Sequence, residues 1–391
     1  MFISTNNYIF NNYNNNGDYM NKIKNNLRII IPIILFSIIS IITIYSSSTM
    51  LPAKLNNLYL KQIIWYIIGF IIVLFLARRK NGISDFTINI LYIIGNVSLL
   101  LVLFLGSEVN GARCWFTIPG IGSDQPSEFM KIFLILMISK ELNKYNNENY
   151  NQNIKTETII IVKCLLLTLI PTILTFLEPD TGIVFIYFII LFVILFVFGI
   201  RYRWFITGIV FVSLFIGTFL YLFFIKQDLF INMFGTDFFY RMDRLLDWSN
   251  GEGMQLTNAL ASTGSAGLYG YGIKNNPIYY PEAQTDFIFS VFSTNFGFFG
   301  SILFIILLII FDLQIIRVGI KSKKKDKYII AGIISMIIYQ QIQNIGMNIG
   351  LLPITGITLP FISYGGSSLI SYMGALGIIL NIINKKSETN Y

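Results

Sequence analysis

The chain has 391 residues, of which 54% are hydrophobic and only 12% are charged. Soluble domains carry about 25% charged residues, so this composition indicates a membrane protein. The chain contains no histidine, which excludes histidine-based triads and proton relays, and its two cysteines, Cys114 and Cys164, are too few for a disulfide framework or a cysteine-rich metal site.

Apolar segments follow one another along the whole chain. A spanning helix needs about 20 apolar residues, and ten segments are candidates: 28–48, 60–77, 86–106, 126–142, 157–177, 181–200, 204–225, 286–314, 328–350 and 361–383. The sequence therefore predicts an all-α integral membrane protein with ten transmembrane helices in one domain, residues 28–384. A large extracytoplasmic loop, residues 226–285, is predicted between the seventh and eighth helices. Residues 1–27 are predicted to be a disordered cytoplasmic tail, and residues 385–391 a second cytoplasmic tail.

The basic residues distinguish the two faces of the predicted bundle. With the N-terminus inside, the cytoplasmic segments hold 19 Lys and Arg residues and the outer segments 7, as the positive-inside rule requires. This bias predicts that both termini are cytoplasmic. The formal net charge of +8 therefore reflects topology, and nucleic acid is not expected as a partner. The basic run at 321–327 is interpreted as a solvated loop that contacts anionic membrane lipids.

One acidic residue lies where polar sequence meets apolar sequence. Asp286 ends the polar segment that starts near residue 226, and an apolar run, 287–316, broken only by a few small or polar residues, follows it. An ionisable group at the edge of the hydrocarbon is costly and is a functional candidate. A carboxylate near a helix N-terminus is also stabilised by the helix dipole. Position alone leaves both interpretations open.

Two further pairs of charged residues lie near the same predicted face of the bundle. Glu128 and Lys131 are three residues apart behind Pro126, which suits the first position of a helix. They form either a structural pair or the wall of an ion-lined cavity. Glu178 and Asp180 occupy the turn between the fifth and sixth helices. A tight turn has no need of two acids, which favours a functional role.

Two other segments carry binding chemistry. Arg241 and Arg244 lie three residues apart in the outer loop, and guanidinium groups in that arrangement bind phosphates or carboxylates. Pairing with acids of the same short helix is an equally good interpretation. Residues 344–368 combine Gly and Pro with many hydroxyls and amides. Irregular backbone at membrane depth is tolerated where it is buried in protein or lines a water-filled cavity, and the polar content favours a cavity.

Six motifs occur in order along the chain. They are Gln125-Pro-Ser-Glu128, Pro179-Asp-Thr-Gly182, Pro281-Glu-Ala-Gln-Thr-Asp-Phe-Ile-Phe289, Asn344-Ile-Gly-Met347, Leu352-Pro353 and Leu359-Pro-Phe-Ile-Ser-Tyr-Gly-Gly-Ser-Ser368. This set resembles the SEDS family (shape, elongation, division and sporulation), the family of RodA, FtsW and SpoVE, over about residues 28–384. The resemblance implies an inverting glycosyltransferase that polymerises lipid II into peptidoglycan at the outer face of the plasma membrane, during elongation, division or sporulation. It also implies a class B penicillin-binding protein as the partner that cross-links the product.

The resemblance assigns roles to individual residues. The family's essential acid, proposed to deprotonate the acceptor sugar hydroxyl, corresponds to Asp286. Arg241 and Arg244 are expected to contact pyrophosphate. The full set of expected substrate or cavity residues is Glu128, Lys131, Asp180, Arg113, Trp115, Arg241, Arg244, Thr285, Ser363 and Tyr364.

Two departures from the family pattern bear on mechanism. Gln284 occupies the position of the usual His before Thr-Asp. A histidine at this position is therefore not needed as the base. Glu178 replaces the usual Gln and adds a carboxylate, which would favour an optional Mg²⁺ or Mn²⁺ at the cavity mouth; no other cofactor or metal site is expected.

Two rival functions and the subfamily stay open. The rivals are a lipid II flippase and a non-catalytic scaffold. Polar midmembrane residues and glycine-broken helices are compatible with the flippase. Acids clustered at the outer face favour chemistry there. Gln255-Leu-Thr is closer to FtsW and SpoVE, whereas Asn344-Ile-Gly-Met is closer to RodA.

Overall fold

The computed structural model describes residues 26–52, 55–79, 82–109, 112–118, 122–147, 153–236, 253–322 and 324–386. The helices of these ranges are α1 (Asn26–Met50, ending in a 3-10 turn), α2 (Leu58–Ala77), α3 (Asp85–Leu105), α4 (Pro126–Asn147), α5 (Ile154–Leu177), α6 (Thr181–Phe198), α7 (Tyr202–Ile225), α8 (Gln227–Phe234), α9 (Met254–Ser265), α10 (Ile288–Lys321), α11 (Lys324–Asn348) and α12 (Gly366–Lys386). Almost all of the predicted tails, at 1–25 and 387–391, lies outside the described residues.

The expectation of an all-α, multi-pass membrane protein is confirmed. Nine helices in the described ranges are long and apolar enough to cross a membrane, namely α1, α2, α3, α5, α6, α7, α10, α11 and α12. The remaining predicted span is α4, which has 22 residues but carries five charged side chains. Because α4 packs against α3, α6, α11 and α12, protein surrounds much of its surface. The count of ten spans stays a prediction.

The charges of α4 are paired with one another and with α5. Lys131 contacts Glu128 at 2.7 Å. Further along the helix, Glu141 contacts Lys140 at 3.1 Å, Lys144 at 2.8 Å and Lys163 of α5 at 2.7 Å. Buried charges persist when they are paired in this way, which explains how a helix with this composition lies inside the bundle.

The eighth predicted segment forms α10, but this helix is broken. Gly297 has φ 65° and ψ −163°, a conformation outside the helical region. The residues that follow α9 bind at the break: Tyr271 N donates to the carbonyl of Thr294 at 2.9 Å, and Phe298 N donates to the carbonyl of Gly267 at 3.0 Å. These bonds replace helical hydrogen bonds that the break removes.

The segment between α3 and α4 forms a small antiparallel sheet that the sequence did not lead us to expect. Its strands, in the order β1-β2-β3, are β1 (Ser107–Val109), β2 (Ala112–Ile118) and β3 (Gly122–Asp124). Trp115 pairs with Ser107 on one side, and Phe116 pairs with Asp124 on the other. The sheet therefore fixes Trp115 beside the start of α4.

Three phenylalanine rings join distant parts of the chain in the core. Phe36 of α1 lies 5.4 Å from Phe311 of α10 and 6.2 Å from Phe361 in the turn before α12, between ring centroids. All three side chains are buried. Ring pairs at these separations add about 0.5–1.5 kcal/mol each beyond burial, so this cluster anchors the turn that precedes α12.

Candidate functional site

Helices α4, α6, α10 and α12 all begin at the same end of the bundle, and a cavity of about 380 Å³ lies between their N-termini and β2. We call it the acidic cavity. Its walls include the carboxylic acids Glu128, Asp180, Glu282 and Asp286, the aromatic residues Trp65, Trp115 and Tyr364, and Thr285. At the opposite end of the bundle a smaller cavity of about 70 Å³ is bordered by Arg79, Lys325 and Lys385.

Asp286 lies two residues before the start of α10, in the wall of the acidic cavity. Burial raises the pKa of its carboxyl to about 7, and the negative charges of Glu282 and Asp180 act in the same direction. Among the described residues, no side chain donates a hydrogen bond to this carboxyl. The group therefore exchanges its proton near neutral pH, which suits a general base.

The turn that carries Asp286 is tied to the turn before α12. Thr285 Oγ1 donates to Glu282 Oε2 at 2.8 Å. Ser363 Oγ donates to the Thr285 carbonyl at 2.7 Å, and Tyr364 N donates to the Gln284 carbonyl at 2.9 Å. Thr285 and Tyr364 line the cavity, whereas Ser363 is buried outside its lining. Ser363 thus supports the site without facing it.

Asp180 is the N-cap residue of α6. Its Oδ1 accepts from Ile183 N at 3.2 Å, and its Oδ2 accepts from Gln125 Nε2 at 2.7 Å. Burial raises the pKa of Asp180 to about 6 even though these donors oppose the shift. The Gln125 bond ties the start of α4 to the start of α6 at the cavity wall.

Glu128 and Lys131 fulfil both roles that the sequence left open. Glu128 lines the acidic cavity, and the buried Lys131 Nζ contacts its Oε2 at 2.7 Å from behind. Lys131 Nζ also lies 5.1 Å from the centre of the Tyr372 ring. The pair joins α4 to α12 and gives the cavity one partly neutralised acid.

Of the remaining candidates, only Trp115 reaches the cavity within the described residues. Arg113 lies outside the cavity lining and contacts Glu108 at 3.4 Å, with both side chains more than half exposed. Exposed pairs of this kind stabilise a fold by at most about 1 kcal/mol. Arg241 and Arg244 lie outside the described residues, so their role stays a prediction.

Two residues of α2 belong to the site but carried no motif. Trp65 lines the cavity and lies against Gly366, where a Cβ atom would come within 2.7 Å of the indole. Gln62 is buried; its Nε2 donates to the Ser363 carbonyl at 3.2 Å and its Oε1 accepts from Gly365 N at 3.4 Å. The sequence offered one signal for Gln62, a lone amide inside an apolar segment. It offered no signal that Trp65 belongs to the site.

Glu178, the acid that suggested a divalent cation, lies outside the lining of the acidic cavity. Its side chain is fully buried, and within the described residues neither carboxyl oxygen has a hydrogen-bond partner. Burial raises its pKa to about 9, so the group holds its proton at neutral pH. The described residues also contain no group of three or more Asp, Glu, Cys or His side chains placed to hold a metal. The divalent cation that the sequence suggested stays a prediction.

Known proteins resemble this chain over nearly its full length. The family model described as "Cell cycle protein", which covers FtsW, RodA and SpoVE, matches residues 26–388. The chain is 32% identical over 373 residues to the probable peptidoglycan glycosyltransferase FtsW of Wigglesworthia glossinidia brevipalpis, covering 89% of this chain and 90% of that protein. It is 31% identical over 378 residues to stage V sporulation protein E of Bacillus subtilis (strain 168), covering 92% and 97%.

Solved structures share the fold. A chain from a peptidoglycan synthase complex that coordinates polymerization and crosslinking superposes with a TM-score of 0.72 at 24% identity, covering 91% of this chain and 96% of that one. The rod shape determining protein RodA of Thermus thermophilus superposes with a TM-score of 0.63 at 23% identity and the same coverage. The fold and the acidic cavity define a multi-pass membrane protein with an ionisable site at one end of its helices. The chain belongs to the FtsW/RodA/SpoVE family, the SEDS family.

Proposed function

We propose that this protein is a peptidoglycan glycosyltransferase that polymerises lipid II at the outer face of the plasma membrane. The observation that carries the proposal is Asp286, an acid with a pKa of about 7 in the wall of a cavity at the ends of four helices. Family relatives named as peptidoglycan glycosyltransferases support the same activity.

The proposed reaction is a single displacement at the donor sugar. Asp286 takes the proton of the acceptor hydroxyl as that oxygen bonds to the anomeric carbon of the donor. The bond from this carbon to undecaprenyl pyrophosphate breaks, and the configuration at the carbon is inverted. Trp65 and Trp115 in the cavity wall supply flat apolar faces with a polar edge, which suit sugar rings.

The leaving pyrophosphate needs positive charge. The described lining of the acidic cavity contains no Lys or Arg, and Lys131 is already engaged by Glu128. We therefore assign charge stabilisation of the pyrophosphate to Arg241 and Arg244 of the outer loop. Asp286 would then act on the attacking hydroxyl of the acceptor, and the two arginines would act on the leaving pyrophosphate of the donor.

A class B penicillin-binding protein is the proposed partner. The structural neighbour from a synthase complex that couples polymerization with crosslinking supports such an association. The basic residues on the segments opposite the acidic cavity support an orientation with both termini in the cytoplasm. In that orientation the cavity opens where lipid-linked sugars are displayed.

The arrangement beneath the cavity favours chemistry over transport. Lys131 and Tyr372 are fully or almost fully buried and lie in contact. They form a packed floor under the acids. A lipid II flippase would instead require a polar path that continues to the other face.

The decisive experiment compares the wild type with Asp286→Asn, using labelled lipid II in the presence of a class B partner. The wild type should form polymer, and Asp286→Asn should lose at least about 100-fold in rate, since positioned general bases contribute about 10²–10⁴-fold. Asp85→Asn is the matched control, because Asp85 lies at the opposite end of the bundle and pairs with Lys325 at 2.7 Å.

Near-normal polymer from Asp286→Asn would overturn the proposed role of this residue. If neither protein forms polymer with partner and divalent metal present, a lipid II translocation assay would test the flippase function instead.

A further inference from the structure

Two buried asparagines of α11 converge on the backbone of Asp286. Asn344 and Asn348 lie one helical turn apart, and both side chains are fully buried. Asn344 Nδ2 donates to the Asp286 carbonyl at 2.9 Å, and Asn348 Nδ2 donates to the same carbonyl at 2.8 Å. One backbone oxygen thus accepts two amide donors from a different helix.

Asn348 also caps α10 from outside that helix. The N-cap residue Phe287 supplies no side-chain cap, and the first N–H groups of a helix need acceptors. Asn348 Oδ1 accepts from Ser290 N at 2.9 Å and from Ser290 Oγ at 2.7 Å. The Asn348 side chain therefore binds the first turn of α10 through its oxygen, and it binds the Asp286 carbonyl, just before the helix, through its nitrogen.

Asn344 links Asp286 to the opposite cavity wall. Its Nδ2 also donates to the Ile357 carbonyl at 2.8 Å, in the segment that contributes Gly356 and Thr358 to the cavity lining. A Cβ atom at Gly356 would lie 3.8 Å from Asp286 Oδ2. Asn344 thus sets the separation between the carboxyl and the backbone that faces it.

We propose that Asn344 and Asn348 are positioning residues for Asp286, forming an asparagine clasp that aims its carboxyl into the acidic cavity. Neither asparagine lines the cavity, so the clasp acts through the Asp286 backbone and not on the substrate. Because no described side chain holds the carboxyl itself, the orientation of the carboxyl depends on the position of the Asp286 backbone. The proposal rests on the proposed role of Asp286 as the base.

The test is polymerisation kinetics of Asn344→Ala and Asn348→Leu. Each variant leaves one amide donor on the Asp286 carbonyl, and Asn344→Ala also leaves the Ser290 cap in place, so it is the variant that better preserves the fold. We expect kcat to fall about 10–100-fold with KM for lipid II changed less than about 2-fold. Loss of structure alone would lower the yield of folded protein without this separation of kcat from KM.

Asn384→Ala is the matched control. Its Nδ2 donates to the Ala77 carbonyl at 3.0 Å and its Oδ1 accepts from Asn26 Nδ2 at 3.0 Å. The substitution therefore removes comparable amide hydrogen bonds at the far end of α12, and kcat should stay unchanged. Wild-type kcat in folded Asn344→Ala, or a rise in KM alone, would overturn the clasp. That result together with an inactive Asp286→Asn would leave the proposed function intact, whereas an active Asp286→Asn would remove the basis of both proposals.

Discussion

Asp286 must lose its proton before it can act as a base, and its environment sets the pH at which this happens. Burial, with Glu282 and Asp180 nearby, raises its pKa to about 7. We expect the rate of polymerisation to rise with pH through about 7 and then to level, because only the carboxylate accepts the acceptor proton. The measurement is kcat/KM for lipid II between pH 5 and pH 9.

The other acids of the site make this pH profile diagnostic. Asp180 has a pKa of about 6 and Glu178 of about 9, so neither would give a rising limb at 7. If the rate of polymerisation instead rose near pH 4, the ordinary pKa range of a free carboxyl, the result would contradict a raised pKa of Asp286. The stability effect has the opposite sign: an unfolded Asp loses its proton near pH 4, so the contribution of Asp286 to stability falls as the pH rises from about 4 to about 7.

At the scale of one element, the break in α10 depends on Gly297. Its φ of 65° and ψ of −163° belong to a region that costs other residues about 1–3 kcal/mol. A Cβ atom there would come within 2.4 Å of Gly270 N and 2.6 Å of the Leu268 carbonyl carbon. We expect Gly297→Ala to lower the melting temperature in detergent and to expose residues 266–272 to protease.

Gly374 of α12 provides the control for this substitution. In the described part of the chain, no heavy atom beyond the adjoining residues and the backbone of its own helix lies within 4 Å of a Cβ added at Gly374, and alanine is favoured over glycine inside a helix by about 1 kcal/mol. Gly374→Ala should therefore leave the melting temperature unchanged or raise it. Equal behaviour of the two alanine variants would show that the break does not depend on glycine.

Sequence patterns predicted some elements well and others poorly, for physical reasons. Pro126 begins α4 and Glu128 lies in its first turn, as expected, because local backbone preferences determine a helix start. The break at Gly297 was not predicted, since the apolar run continues through it and the bonds that stabilise the break come from residues 266–272. The three short strands were missed as well, because cross-strand pairing and contacts with helices such as α12 stabilise them, and short segments of sequence do not reveal either.

The acidic cavity was predictable in part. Asp286, Glu128 and Asp180 were expected there because acids at the ends of apolar segments are costly unless they serve a function. The position of Arg113 outside the cavity lining was not predictable, since its surroundings depend on how the sheet packs. Trp65 was missed because an aromatic residue in an apolar span resembles any lipid-facing or core residue.

At the scale of the whole molecule, α4 decides the topology. With α4 as a tenth span both termini lie on one face, whereas with the nine apolar spans alone they would lie on opposite faces. Arg113 precedes α4 and Lys144 lies in its last turn; both side chains are more than half exposed. Lys327, also exposed, lies in the first turn of α11 on the predicted cytoplasmic side. Single cysteines at these three positions therefore report whether α4 crosses the membrane.

We expect a membrane-impermeant maleimide to label Arg113→Cys in spheroplasts, and to label Lys144→Cys and Lys327→Cys only after permeabilisation. The native Cys114 and Cys164 are both buried, and burial raises the pKa of the Cys114 thiol, so the wild type gives a low background. Labelling of Arg113→Cys and Lys144→Cys from the same side would rule out α4 as a span. Separate labelling would establish that a helix with five charged residues crosses the bilayer because its charges are paired within the protein.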